Sequence, residues 1–144
     1  MTTYKIMTEA DIARVIPMFI EYYNADGDSW TPETVHRRIW QVLGSPDSYC
    51  LLAERSGEVL GFAMGRMEQF WDLMAYNLEE IVIAKAHQSQ GHGSALMREL
   101  EGRVKSLGAS LVQLKAVADE QHERFYGRLG YYNSENLRLK GKFL

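Results

Sequence analysis

Two kinds of residue pattern in this 144-residue chain could do chemistry. The first is Gln88-Ser89-Gln90-Gly91-His92-Gly93-Ser94, placed between the apolar run Ile81-Val82-Ile83 and the helically spaced Ala95, Leu96, Leu100, Val104 and Leu107. A glycine-containing turn between a strand and a helix brings several main-chain N–H groups to one point. There the helix dipole favours an anion such as pyrophosphate. The second is a pair of acidic stretches without Lys or Arg. Residues 21–35 carry Glu21, Asp26, Asp28 and Glu33 among Tyr22, Tyr23 and Trp30, and residues 67–84 carry Glu68, Asp72, Glu79 and Glu80 among Phe70, Trp71 and Tyr76. Acids interleaved with aromatic faces suit a cation, through charge and cation–π contact. The whole chain has a net charge of -3, and this balance is uneven: residues 1–84 stand at -7 and residues 85–144 at +4. The acidic front and basic back fit a cationic and an anionic ligand respectively.

Elements that must position these groups can be read from periodicity and punctuation. Tyr4 to Met7 reads as a strand. Thr8 then caps a helix whose apolar stripe is Ile12, Val15, Ile16, Phe19 and Ile20. Thr31 and Pro32 open a second helix that Gly44 ends. Tyr49 to Glu54 and Val59 to Arg66 form a hairpin about Arg55-Ser56-Gly57-Glu58, and Leu78 to Ala84 is a further strand. Next come a helix from Gly91 to Leu107, a strand from Ser110 to Val117 and a short helix from His122 to Leu129. Leu137, Leu139 and Phe143 then mark a last strand. The predicted order is β-α-α-β-β-β-α-β-α-β, a mixed α/β sheet with helices on both faces.

Composition limits the function classes. With 46% hydrophobic and 24% charged residues, the chain fits one globular domain, residues 1–144, large enough to bury roughly 70% of its unfolded surface. The single cysteine, Cys50, supplies neither a disulfide nor a thiolate metal cluster, so a reducing, cytoplasmic setting and no metal are expected. Neither a signal peptide nor an apolar run of membrane length is visible, and the acidic balance speaks against nucleic-acid or membrane partners. Two nucleotide folds fail on residues. The dinucleotide fingerprint needs a small residue where Leu96 stands, and the P-loop needs a Gly-Lys-Ser/Thr end that is missing.

The stretch Gln88-Ser89-Gln90-Gly91-His92-Gly93 resembles the pyrophosphate turn Gln/Arg-x-x-Gly-x-Gly/Ala of the GNAT superfamily of acyl-CoA N-acyltransferases. Phe125-Tyr126-Gly127-Arg128-Leu129-Gly130-Tyr131 is similar to the family's second motif, in the expected order and one strand later. The resemblance covers nearly the whole chain. It implies a central mixed twisted sheet of about six to seven strands flanked by about four helices, acetyl-CoA as cofactor, and a homodimer. In this reading the N–H groups of Ser89, Gln90, Gly91, His92, Gly93 and Ser94 hold the pyrophosphate, and the main chain of Ile81, Val82 and Ile83 pairs with the pantetheine arm. Gln88 opens the turn, and Lys85, His87, His92 and Arg124 add charge nearby. Asp119 stands where the family often has Asn, and His122 where it often has Ala. Asp119 accepts a hydrogen bond from the arm but lacks the donor of Asn.

Acyl transfer to an amine needs a neutral nitrogen, stabilisation of the thioester oxygen and a proton for the leaving thiolate. A carboxylate beside the cofactor helps to remove the proton of the acceptor ammonium, and Glu79 and Glu80 are the candidates. Neighbours on a strand face opposite ways, so at most one of the two points into the cleft. A short resemblance to the spermidine/spermine branch around Leu78 to Ile83 favours Glu79, with Glu80 the alternate. Family resemblance makes Tyr126 the general acid, a role that a phenol of pKa ~10 suits at neutral pH. The acceptor wall is expected to include Tyr22, Tyr23, Asp26, Asp28, Trp30, Trp71, Asp72 and Tyr76. The expected function is transfer of an acetyl group to a primary amine of a cationic small molecule (polyamine or aminoglycoside type) or a peptide. The alternative is a non-catalytic acyl-CoA-binding module.

Overall fold

The computed structural model describes residues 1–144. Its elements are β1 (Thr3–Ile6), α1 (Ile12–Asn24), α2 (Pro32–Leu43), β2 (Ser48–Arg55), β3 (Glu58–Gln69), β4 (Met74–Ile83), α3 (His92–Ser106), β5 (Leu111–Leu114) and α4 (Glu120–Arg128). No helix is long and apolar enough to cross a membrane.

Local chemistry explains the helix starts. At α2, the Thr31 hydroxyl accepts from the Thr34 N–H at 3.2 Å, and Pro32 occupies the first turn, where its missing N–H costs nothing. At α1, Asp11 is buried; one carboxylate oxygen takes the Thr8 N–H at 2.9 Å, and the other meets Lys5 at 3.1 Å and Arg14 at 3.2 Å. These donors hold Asp11 below the usual carboxylate range despite burial, which acts the other way. The stripe Ile12, Val15 and Phe19 is buried as its spacing predicts, with Ile16 and Ile20 packed at its margin.

The strands lie in chain order, β1-β2-β3-β4-β5. The first four pair antiparallel, whereas β5 runs parallel to β4, a connection that needs the crossover through α3. Alternate residues feed two cores. Cys50, Leu52, Phe62, Met64 and Val82 pack under α1 and α2; Leu51, Ala53, Ala63, Tyr76 and Leu78 pack under α3, with Phe125 and Tyr126 of α4 at the margin. Truncating a ring such as Phe62, fully buried in the first core, costs about 3–5 kcal/mol.

Two irregularities position the site. The β3–β4 register shifts between Met64 and Gly65: Met64 pairs with Glu80 and Gly65 with Leu78, so Glu79 is the extra residue of a bulge. A bulge bends its strand and increases local twist. In addition, β5 pairs with β4 only from Ala75 to Leu78. Beyond that point β4 has no strand neighbour on this side, and the two strands part.

Three boundaries differ from the sequence expectation. The β3–β4 hairpin is longer, reaching Gln69 and resuming at Met74, while β5 stops at Leu114. The last strand does not form. Residues 131–144 have no strand pairing, and Leu137, Leu139 and Phe143 are exposed, so the sheet has five strands instead of six to seven. Their alternation suits a strand, but a strand also needs a neighbour to satisfy its main chain and a layer to bury its apolar face, and within one copy these residues meet neither.

Candidate active site

The parted strands and the turn after β4 form one half of the site. Ser89 and Gly91 adopt left-handed backbone, at φ 61° and 84°. This folds the turn so that the N–H groups of residues 89–94 have no acceptor among the main-chain hydrogen bonds. Unused donors at the start of a long helix fit an anion. The Gln88 amide donates to the Ile83 carbonyl at 3.2 Å and ties the turn to β4. Gly93 lets α3 and α4 approach closely: a Cβ there would come within 3.2 Å of the Phe125 ring, which would have to give by a few tenths of an ångström. Residues 79–83 of β4 present main-chain groups along the open side, as an extended arm would require.

The two histidines near this turn are held differently. The His92 Nε2 is buried without a partner. Burial, and then the charges of Arg55 and His87, push the His92 pKa below its usual value, so its neutral form is favoured. His87 is engaged with Glu58 at 2.8 Å. What His92 offers an anion is its N–H.

The other half gathers side chains from four elements around Glu80. The Tyr23 hydroxyl of α1 donates to one carboxylate oxygen. Arg38 of α2 donates to the other from Nη2 at 3.0 Å and Nε at 3.3 Å. Arg38 also reaches the Glu79 carbonyl at 3.2 Å and lies 3.7 Å from the Glu79 carboxylate. The bulge thus turns two neighbouring acids toward one cation, where regular strand alternation predicts opposite faces. They remain unequal: the Glu80 side chain is 12% exposed, that of Glu79 36%.

Tyr22 and Tyr126 complete this cluster. Burial first, then Asp26, Glu80 and Asp119, raise the Tyr22 pKa. Burial first, then Tyr22 and Glu80, push Tyr126 up to about 12, so its hydroxyl keeps its proton throughout the neutral range. The Tyr126 ring is wedged edge-on between Phe125 and Tyr131, at 4.9 and 5.7 Å. Asp119 caps α4: one oxygen accepts the His122 N–H at 2.8 Å and faces His122 Nδ1 at 2.7 Å.

Other expected wall residues are placed differently. Trp30 packs edge-on to Phe19 at 5.0 Å and donates to Asp28 at 3.1 Å, so it braces the α1–α2 loop; Asp26 is exposed in that loop. Trp71 and Asp72 occupy the exposed tip of the β3–β4 hairpin, roughly 20 Å along β4 from Glu80 at strand spacing. Tyr76 is fully buried and donates to the Tyr49 carbonyl at 2.7 Å. It fits because Gly65 lacks a side chain: a Cβ there would stand 2.7 Å from the Tyr76 hydroxyl. Trp71, Asp72 and Tyr76 therefore do not join Glu80. Sequence reasoning missed Arg38, although a signal was present: it stands three residues after Val35 and four before Val42, on the flank of the buried face of α2.

Comparisons with known proteins agree with this geometry. The model of the acetyltransferase (GNAT) family matches residues 13–131. The chain belongs to that family and is an N-acetyltransferase by class. No curated protein matches the sequence. Among solved structures, a transcriptional regulator from Bacillus halodurans C-125 superposes with TM-score 0.78 at 22% identity, covering 99% of this chain and 100% of that one. A ribosomal-protein-alanine N-acetyltransferase from Brucella melitensis biovar Abortus 2308 gives 0.79 at 16% identity, covering 99% of each chain. Glucosamine-6-phosphate N-acetyltransferase from Arabidopsis thaliana gives 0.74 at 17% identity, also covering 99% of each. At these identities the likeness is one of fold.

Proposed function

We propose that residues 1–144 form one acetyl-CoA-dependent N-acetyltransferase domain that acetylates a primary amine carried by a cationic small molecule or peptide, by direct transfer within a ternary complex. The observation that carries this reading is the placement of Glu80, sheltered beside Tyr22, Tyr23 and Tyr126 where β4 and β5 part. The unused N–H groups of residues 89–94 and the open edge at Ile81, Val82 and Ile83 suit the pyrophosphate and pantetheine of the cofactor. Bound there, acetyl-CoA supplies an activated acyl carbon. Cytoplasmic action and a homodimer belong to the same reading.

Each residue then has a physical task. Glu80 holds the acceptor ammonium and takes one of its protons, directly or through one water, to leave the neutral amine that then bonds to the acyl carbon; the second amine proton, shed as the amide forms, replaces the one Tyr126 gives up. Tyr23 and Arg38 fix the direction of the Glu80 carboxylate, so little orientation is lost when the acceptor arrives. Glu79, more exposed and on the bulge, adds negative potential that draws in a cation. Tyr126 holds a proton for the departing thiolate sulfur. The aromatic faces of Tyr22 and Tyr23 favour a cationic acceptor over a neutral one.

The deciding experiment is release of CoA thiol from acetyl-CoA near pH 8, across polyamines, aminoglycosides, amino acids and short peptides. Release confined to cationic amines and lost in Glu80→Gln is expected. Equal turnover of neutral and cationic amines would overturn the acceptor assignment, and wild-type rates in Glu80→Gln would remove Glu80 from the proton transfer.

A further inference from the structure

The end of the chain carries charge that nothing else in the molecule answers. Residues 136–144 hold Arg138, Lys140 and Lys142 and no acid. Residues 132–144 are exposed throughout and make no main-chain hydrogen bond, and no carboxylate pairs with these cations. The opposite imbalance lies around Glu80. Glu79 and Glu80 share one cation, Arg38, and Asp26 and Asp119 join Glu80 in acting on the Tyr22 hydroxyl. Such a cluster draws in a cation.

The path of the chain brings the two together. Helix α4 runs from its cap at Asp119 past Tyr126, and Gly130, at φ 91°, then reverses the direction of the chain. Tyr131 packs on Tyr126 at 5.7 Å and donates to Glu101 at 2.7 Å. Asn133 donates to Glu123 at 3.3 Å, one turn back along α4 toward Asp119. From there the seven residues to Lys140 reach up to ~23 Å when extended, whereas the whole of α4 spans only ~14 Å.

We propose that the chain acetylates its own tail: residues 134–144 fold back over the cluster around Glu80 in the same molecule and present the ε-amines of Lys140 and Lys142 to it. This names a lysine side chain as an acceptor of the site and rests on the acetyltransferase reading. Glu80 takes one proton from the ε-ammonium, and the neutral nitrogen bonds to the acyl carbon as the carbon–sulfur bond of acetyl-CoA breaks. Tyr126 protonates the departing sulfur, and the second proton shed by the nitrogen replaces the one that Tyr126 gave up. Acetylation removes the positive charge, so the modified side chain loses its attraction to the acids and leaves the cleft to other acceptors.

Mass spectrometry of the full chain, incubated with acetyl-CoA and no added amine, tests this by mapping the modified residues, with Glu80→Gln prepared in the same way as reference. Lys140 and Lys142 are expected to be acetylated at least about tenfold faster than Lys105, which is also exposed but lies in the last turn of α3. The rate per molecule should not change across a wide range of protein concentration, and it should fall about 10²-fold in Glu80→Gln. Free thiol should appear to at most one equivalent per tail lysine. It should be lost when Lys140→Arg and Lys142→Arg are combined, a change that keeps the charge and removes the nucleophile. Equal labelling of Lys105, a rate retained in Glu80→Gln, or a rate per molecule that rises with concentration would overturn the proposal. An unmodified tail in protein that releases thiol with added amines overturns it too and leaves the acetyltransferase reading standing, whereas release in neither assay overturns both.

Discussion

The half of this cleft proposed for the cofactor and the half proposed for the acceptor are built by opposite means. The cofactor half is main chain: a strand edge, a left-handed turn and the first N–H groups of α3, all within residues 79–95. The acceptor half is side chain: Tyr22 and Tyr23 from α1, Arg38 from α2, Glu80 from β4 and Tyr126 from α4. Main-chain donors are the same whatever the residue, so the first half tolerates side-chain change and depends on backbone shape. The second depends on charges held near one another at low exposure, where removing one partner leaves the other uncompensated. The contrast explains how one fold can keep a common donor while its acceptor varies.

The largest effect expected from breaking that contrast is at Glu80. Glu80→Gln should lower kcat by about 10²-fold or more, the scale of a lost general base, whereas Glu79→Gln changes it only a few-fold. Comparable losses in both would mean that the bulge makes the two acids one functional unit. Tyr126→Phe comes next, with a drop of about 10²-fold in kcat and little change in KM. Because burial pushes Tyr126 up to about 12, wild-type kcat should show no alkaline fall near pH 10; a fall there that disappears in Tyr126→Phe would contradict that placement.

On the main-chain side, Gly91→Ala forces a Cβ onto a residue at φ 84° with open space around it. The cost is strain of about 1–2 kcal/mol and not a clash. A several-fold higher KM for acetyl-CoA with an unchanged acceptor KM is expected from initial rates, and a shift confined to the acceptor KM would undo the division into halves. The smallest effect concerns His92. Its pKa is lowered in the folded chain, so the unfolded chain binds this proton first as pH falls. The stability contribution is complete above about pH 6.5 and is lost as pH drops toward and through the folded value. Thermal melting should therefore show wild type losing slightly more stability than His92→Gln between pH 7.5 and pH 5.5, and identical losses would count against the buried neutral ring.

Legibility in the sequence divides along the same line. Gln88 to Ser94 and Phe125 to Tyr131 were readable because turn chemistry is local: a left-handed position favours Gly, as at Gly91 and Gly130, and the helical spacing of Ala95, Leu96 and Leu100 marks where α3 must begin. The apolar stripe of α1 and the cap of α2 were readable for the same reason. The position of Glu79 was not. Strand alternation predicts opposite faces for Glu79 and Glu80, and the bulge that turns both toward Arg38 arises from how β3 and β4 pair. Tyr76 and Trp71 looked alike as aromatics in an acidic stretch. Gly65 on the neighbouring strand admits one to the core, and the added length of the hairpin carries the other to its tip.

By itself the sequence determined the order of the elements as far as α4, the glycine turn that opens α3, the family and the two-faced character of residues 137–144, because each rests on residues near one another in the chain. Only the tertiary structure decided that Glu80 is the sheltered acid, that Arg38 and Tyr23 hold it, and that the final strand finds no partner within one copy. Those outcomes depend on register, on burial and on which surfaces meet, and these are set by residues far apart in the chain that come together only on folding.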